Sequence, residues 1–353
     1  MPSVHIPRQR EALVNQLMAD LEPFLAAYPL PELAGQRLFM TGATGFIGYW
    51  LLLAIHSLNR RGAGIQVVAL SRSPESFLLA HPECRAMNWL SWTQGDVRHY
   101  DLPQGPFDAF IHGAADTSPA AAADPIELFD TIVTGARHVL DHALAAPTRR
   151  ILLLSSGAIY GEQPQQIERL CETDVFACAP FQADNAYGEG KRAMEMLGAS
   201  YAHTHGIEPV VARCFAFIGH GLPEHLAISQ FIRDAQENEF IAVNGDGRQL
   251  RSFLYAADLA VWLLALLCRG QAGAAYNVGS SHAITLAEAA DSVRRVLAPE
   301  KRVEILGKAS APARQRYVPD TRRATHELKV DIWTDMETAI LKTNSARQAL
   351  HTD

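Results

Sequence analysis

Residues 41 to 48 read TGATGFIG, behind the apolar run QRLFM and ahead of the helix-patterned FIGYWLLLAIHSLNRRG. Gly42, Gly45 and Gly48 recur at every third position. Glycines so placed permit a tight turn, let the backbone approach a pyrophosphate closely, and let a helix pack against a strand. N–H groups at the start of the helix then receive the anion. A strand, this loop and a helix in that order predict a dinucleotide site, with Gly42, Thr44, Gly45, Phe46 and Ile47 against the coenzyme. The alternative is a glycine-rich structural turn, and the flanking elements argue against it.

The pattern continues down the chain. IQVVALS, FDAFIHGAA, RRILLLSSGAIYG and IEPVVARCFAFIG read as further strands. PIELFDTIVTGARHVLDHALAA and AYGEGKRAMEMLGASYAHTHG read as helices, the last ended by Gly206. Short apolar strands alternating with longer helices predict a doubly wound (Rossmann) α/β fold, its parallel sheet covered on both faces. We expect an N-terminal helical extension over 1–34 and a dinucleotide-binding domain over 35–218 and 252–281. A smaller, helix-rich, discontinuous lobe is expected over 219–251 and 282–345, and a polar tail over 346–353.

Composition removes several classes. A net charge of -7, with no basic stripe among aromatics, excludes a nucleic-acid partner. The longest apolar run, LAVWLLALLC, is about half a bilayer crossing, so no membrane span is expected and the run reads as a buried helix. The N-terminus lacks the apolar core of a signal peptide. The five cysteines show no ligand or disulfide spacing. A cytoplasmic setting is expected, and no metal site. His138 and His142, one turn apart, read as an ordinary packed or surface pair.

The strand VVALS ends in Ser71 and Arg72, where an NAD-selective fold carries an acidic residue for the ribose hydroxyls. A hydroxyl beside a guanidinium suits a 2'-phosphate, so NADP(H) is favoured over NAD(H). QGDVR offers Asp96 and Val97 on the adenine side, or a plain turn. In NAYGEGKR, Tyr187 and Lys191 stand four apart, about one helical turn, and project from one side. By spacing alone they are either a catalytic pair or two neighbours on a helix face.

Together TGATGFIG, GDV, HGAA at 112–115, SSGAIYG at 155–161, YGEGK at 187–191 and GDGRQLRSFLYAADLA at 245–260 resemble the extended short-chain dehydrogenase/reductases. These are the NAD(P)-dependent epimerase/dehydratase family, which acts mostly on nucleotide sugars. The resemblance runs from about Gly35 to Thr343. It implies that Ser156, Tyr187 and Lys191 are catalytic, with Tyr187 as general acid/base. It also implies that Ala114 and Ala115 meet the coenzyme, along with Tyr187 and Lys191. Ser156, Gly157, Ala216 and Arg251 would meet a nucleotide-sugar substrate, Arg251 through its diphosphate.

A cation about 4 Å away, at an effective dielectric near 20, supplies about 4 kcal/mol. That is the shift of about three units needed to ionise a phenol at neutral pH.

The family's 4,6-dehydratases carry acidic residues directly after the catalytic Ser or Thr, and this chain has Gly157 and Ala158. Ala216, and Thr131 with Ile132, replace asparagines common in the family, which leaves sugar contacts and proton relay open. The leading expectation is NADPH-dependent reduction of a nucleotide-linked 4-keto-6-deoxy sugar, like the 4-ketoreductases of deoxysugar pathways. A 4-epimerase is the close alternative, and a non-catalytic NADP sensor the distant one. The resemblance further implies a homodimer, paired through the helices around Ile126 to Leu144 and Tyr187 to Tyr201.

Overall fold

The computed structural model describes residues 7–179, 181–307 and 315–349. Residues 1–6 of the expected extension and 350–353 of the expected tail lie outside them. Seven parallel strands form the main sheet: β1 Arg37–Thr41, β2 Gln66–Ser71, β3 Leu90–Gln94, β4 Ala109–His112, β5 Arg150–Ser156, β6 Glu208–Cys214 and β7 Ala274–Val278. Their spatial order is β7-β6-β5-β4-β1-β2-β3. The order reverses between β1 and β4, where Leu38 pairs with Ala109 and Thr41 with His112. In doubly wound sheets a ligand crevice opens at that reversal, beyond the carboxyl ends of the strands.

The central strands are apolar because helices cover both faces. The helices Pro125–Ala145 and Ala186–His205 lie on one side, over Ile151, Leu153 and Val211. The helices Phe46–Arg60 and Ala256–Arg269 lie on the other, over Leu152, Leu154 and Val210. Gly206, in the left-handed conformation at φ 70°, closes the Ala186–His205 helix as the sequence predicts.

The helix Ala256–Arg269 is buried at every position from Ala256 to Leu267, and a helix apolar all round needs a second cover. The N-terminal helix Arg8–Ala27 supplies it. Leu13, Leu17, Leu21 and Leu25 are at most 1% exposed against that face. Two polar anchors fix it: the Tyr255 hydroxyl donates to Asp20 at 2.5 Å, and Arg10 pairs with the buried Glu83 at 3.0 Å. The N-terminal helix is thus part of the core.

Three elements depart from the sequence reading. β3, LSWTQ, has no continuous apolar run because it is the sheet's edge strand, and its pattern gave no prediction. The second lobe contains strands as well as helices: Phe240–Val243 pairs in parallel with Arg302–Ile305, and Leu250–Arg251 pairs antiparallel with Ile284–Thr285. The last helix, Met336–Gln348, continues past residue 345 with Ala346 fully buried, so the polar composition of 346–349 does not make it a tail.

Candidate active site

The glycine loop joins β1 to the helix Phe46–Arg60. Gly42 has φ +77°, and a Cβ on it would stand 2.5 Å from the carbonyl carbon and oxygen of Gly113. A Cβ on Gly48 would meet the Gly42 oxygen at 2.2 Å. Only glycine fits either place. Gly45 caps the helix without any side-chain hydrogen bond, so the first-turn N–H groups, with Phe46 and Ile47, are left for an anion.

A cleft of about 720 Å³ opens over this loop, within the size range of small-molecule and cofactor sites. Gly42, Thr44 and Gly45 form its floor. Ser71 and Arg72 at the end of β2, Asp96 and Val97 after β3, and Ala114 and Ala115 after β4 form its walls. Thr131 also lines it. Ile132 instead is fully buried and packs under Gly190.

Arg98 engages both Asp96 oxygens, at 2.9 and 3.1 Å, and reaches Glu127 and Asp130 at 2.9 Å. Hydrogen bonding from Arg98 holds the Asp96 carboxyl down at about 2. Asp96 therefore stands on the cleft wall as a fixed anion. Arg72 is exposed and pairs with no carboxylate among the described residues. The cradle too tight for Cβ atoms, the uncapped helix start and the unpaired cation together fit a dinucleotide.

Ser156 ends β5, and Tyr187 and Lys191 occupy the first turns of the Ala186–His205 helix. The structure brings the three together. The Ser156 hydroxyl lies near enough to the Tyr187 phenol to lower its pKa, and the Lys191 ammonium lies 5.9 Å from the Tyr187 ring centre. Lys191 is 2% exposed and donates to the Leu154 carbonyl oxygen at 2.7 Å. Burial pushes the ammonium down to about 8. Burial also raises the Tyr187 phenol above its ordinary value, and the Ser156 hydroxyl offsets only part of this.

The electrostatic expectation from the sequence therefore needs correcting. Burial of the phenol, which raises its pKa, decides its state in the protein alone. In the protein alone the phenol is neutral, a proton donor.

Arg251 lies on the short strand Leu250–Arg251 of the second lobe, where its Nη1 donates to the Leu250 carbonyl at 2.8 Å. Gly157 opens a 3-10 turn directly after Ser156. Ala216 stands between β6 and Phe217, its carbonyl accepting from the Leu254 N–H at 3.1 Å. His138 and His142 are packed rings, 4.2 Å apart with Tyr100 edge-on to both. His138 also hydrogen-bonds the Tyr100 carbonyl at 2.9 Å. Among the described residues, no group of three or more His, Cys, Asp or Glu is placed to hold a metal ion. None of their helices is long and apolar enough to cross a membrane.

Two residues placed against the predicted site residues escaped the sequence reading. Arg98 follows Asp96 by two residues, a spacing shared by many unpaired arginines. Tyr317 comes from the far end of the chain, and its hydroxyl lies 3.4 Å from Ser156 Oγ.

The sequence pattern of the NAD dependent epimerase/dehydratase family matches residues 38–279. The chain belongs to that family. A UDP-glucuronic acid decarboxylase of Arabidopsis thaliana is 27% identical over 301 residues, covering 84% of each chain. The dTDP-glucose 4,6-dehydratase of Bacillus anthracis, solved with NAD, superposes with a TM-score of 0.74 at 18% identity, over 89% of this chain and 96% of that one. RMD of Pseudomonas aeruginosa, solved with NADPH, gives 0.72 at 24% identity, over 89% and 99%. The protein is thus an enzyme of the extended short-chain type that uses a nicotinamide coenzyme, and the neighbours share its fold.

Proposed function

We propose that this enzyme reduces the 4-keto group of a nucleotide-diphospho-6-deoxy sugar with NADPH. What supports the reading is the clustering of Ser156, Tyr187 and Lys191, with the Lys191 ammonium 5.9 Å from the Tyr187 ring centre and burial favouring the protonated phenol. When bound, the coenzyme supplies the hydride. Tyr187 gives its proton to the oxygen of the carbon being reduced, and Ser156 orients that oxygen. Lys191 stabilises the phenolate left behind.

Gly157 and Ala158 provide no carboxylate next to Ser156, and Glu162 is exposed, so the site lacks the proton-moving groups that the family's dehydratases carry there for the elimination of water. Arg72 with Ser71 supports NADP(H) over NAD(H), since a guanidinium pairs with a 2'-phosphate. Arg251 supports a diphosphate-linked substrate held by the second lobe. The division into coenzyme domain and nucleotide-sugar lobe belongs to this same reading.

The partner we propose is a second copy of the chain. A groove of about 470 Å³ runs between the helices Pro125–Ala145 and Ala186–His205, lined by Ile126, Phe129, Val133 and Phe181. Ile126 is 83% exposed, and a large apolar side chain so exposed beside others marks an interface.

The test is NADPH consumption, followed by absorbance, against dTDP-, UDP- and GDP-linked 4-keto-6-deoxyhexoses, with products weighed by mass spectrometry. A product heavier than its substrate by two hydrogens supports reduction. An isomer formed without NADPH loss, by protein purified with tightly held NAD, points to a 4-epimerase instead. Loss of carbon dioxide from a UDP-uronic acid points to a decarboxylase.

A further inference from the structure

A second phenol stands at the same hydroxyl cluster. Tyr317 OH lies 3.4 Å from Ser156 Oγ, and it donates to the Cys214 carbonyl oxygen at 3.3 Å. The latter is long for an O–H···O bond, so a better-placed acceptor can replace it at little cost. The Tyr317 ring stacks on Phe215 with centroids 4.5 Å apart.

Gly157 makes this approach possible. A Cβ at 157 would stand 2.7 Å from Tyr317 OH and 2.6 Å from Phe215 Cζ. At the position where dehydratases of the family place an acidic side chain, this protein has no side chain at all, and a phenol from the second lobe fills the space.

The backbone fixes that phenol firmly. The Tyr317 N–H donates to the Leu250 carbonyl at 3.0 Å, and the Leu250 N–H donates to the Gln315 carbonyl at 2.7 Å. The strand that carries Arg251 thus also registers Tyr317. Beyond it, the Val318 N–H donates to the buried Gln163 side chain at 3.1 Å.

We propose that the Tyr317 hydroxyl is a further catalytic group, which with Ser156 hydrogen-bonds the oxygen of the reacting sugar carbon while Tyr187 delivers its proton. This rests on the reading of the site given under Proposed function. No bond forms or breaks at Tyr317. The hydride goes to the carbon, the Tyr187 proton to the oxygen, and the Tyr187 phenolate recovers a proton from solvent. Two neutral donors then meet an oxygen that gains negative charge, and donors aimed at developing charge lower the barrier.

The variant is Tyr317→Phe, which keeps the ring on Phe215 and removes only the hydroxyl. Turnover of dTDP-4-keto-6-deoxyhexose with NADPH is predicted to fall about 10- to 100-fold in kcat, with NADPH affinity, read by fluorescence, within about twofold of wild type. A readout independent of the substrate is the ultraviolet titration of Tyr187 in NADP+-loaded protein, taken as the difference between each protein and its Tyr187→Phe counterpart. Loss of the hydroxyl next to Ser156 shifts that titration by about half a unit or more.

Unchanged kcat in Tyr317→Phe overturns the proposal. If the wild type reduces none of the 4-keto sugars, the reading of the reaction fails separately, and the titration decides. A titration identical to wild type leaves Tyr317 as packing alone, and a shift keeps it in the proton-carrying cluster.

Discussion

Lys191 holds its ammonium 5.9 Å from the centre of the Tyr187 ring and anchors it on the Leu154 carbonyl at 2.7 Å, out of contact with solvent. The ion is kept where burial penalises it, and its pKa falls from 10.5 to about 8. That shift amounts to about 3 kcal/mol of destabilisation near neutral pH.

Lys191→Met is therefore predicted to abolish turnover and yet to stabilise the coenzyme-free protein. The lost hydrogen bond to Leu154 offsets part of the gain, leaving about 1–2 kcal/mol. The sign follows from linkage: between about 8 and 10.5 the unfolded chain binds more protons at this lysine than the folded one, so the wild type gains stability as pH rises through that window. The advantage of Lys191→Met shrinks accordingly. Denaturant midpoints at neutral and alkaline pH measure it, and a variant less stable than wild type at neutral pH contradicts the account.

The opposite case lies at the N-terminal helix. Burial raises the Glu83 carboxyl, but hydrogen bonds from His81, Arg10 and Tyr49 outweigh it and hold the group at about 2, against 4.5 in the free side chain. A depressed acid contributes stability that is complete above 4.5 and lost as pH falls towards 2. Arg10→Ala should cost about 2 kcal/mol near neutral pH and flatten the acid limb of the stability curve. Thermal melts at neutral and acidic pH test this: equal losses in both would show that Arg10 acts through packing alone.

The glycine loop and most of the parallel sheet were legible because each depends on local spacing, whereas Ser156, Tyr187 and Lys191 were singled out by the resemblance of their motifs to a family. Gly48 is demanded by backbone contacts within one loop, Gly42 also by its positive φ and the neighbouring Gly113 backbone, and Tyr187 and Lys191 share one side of a helix a turn apart. What was not legible depends on tertiary partners. β3 reads weakly because an edge strand is half exposed. Tyr317 reaches Ser156 only because backbone hydrogen bonds with Leu250 register its segment, and Arg98 is held over Asp96 by Glu127 and Asp130 of the Pro125–Ala145 helix. The phenol's neutrality was also hidden, since burial, which decides it, is a property of the whole fold.

Coenzyme choice is expected to follow Arg72, the exposed guanidinium on the cleft wall. Arg72→Asp should weaken NADPH binding about tenfold or more and improve binding of NADH, since the new carboxylate repels a 2'-phosphate. Fluorescence titration with both coenzymes measures the switch, and unchanged NADPH affinity would remove Arg72 from the site.

Association should depend on the apolar groove. Ile126→Asp with Phe181→Asp places charges on its exposed rims and is predicted to give a monomer with the wild-type melting temperature. Sedimentation velocity reads the mass, and a wild type already monomeric at micromolar concentration would refute the proposed pairing.

The most direct measurement of the central claim follows the hydride. NADPH bearing deuterium at its transferable position is incubated with the protein and a dTDP-4-keto-6-deoxyhexose, and the product is analysed by mass spectrometry and proton NMR. The account predicts one deuterium at the former keto carbon per coenzyme oxidised, and no product from Tyr187→Phe above about a thousandth of the wild-type rate. Product free of deuterium, or equal turnover by Tyr187→Phe, would contradict it.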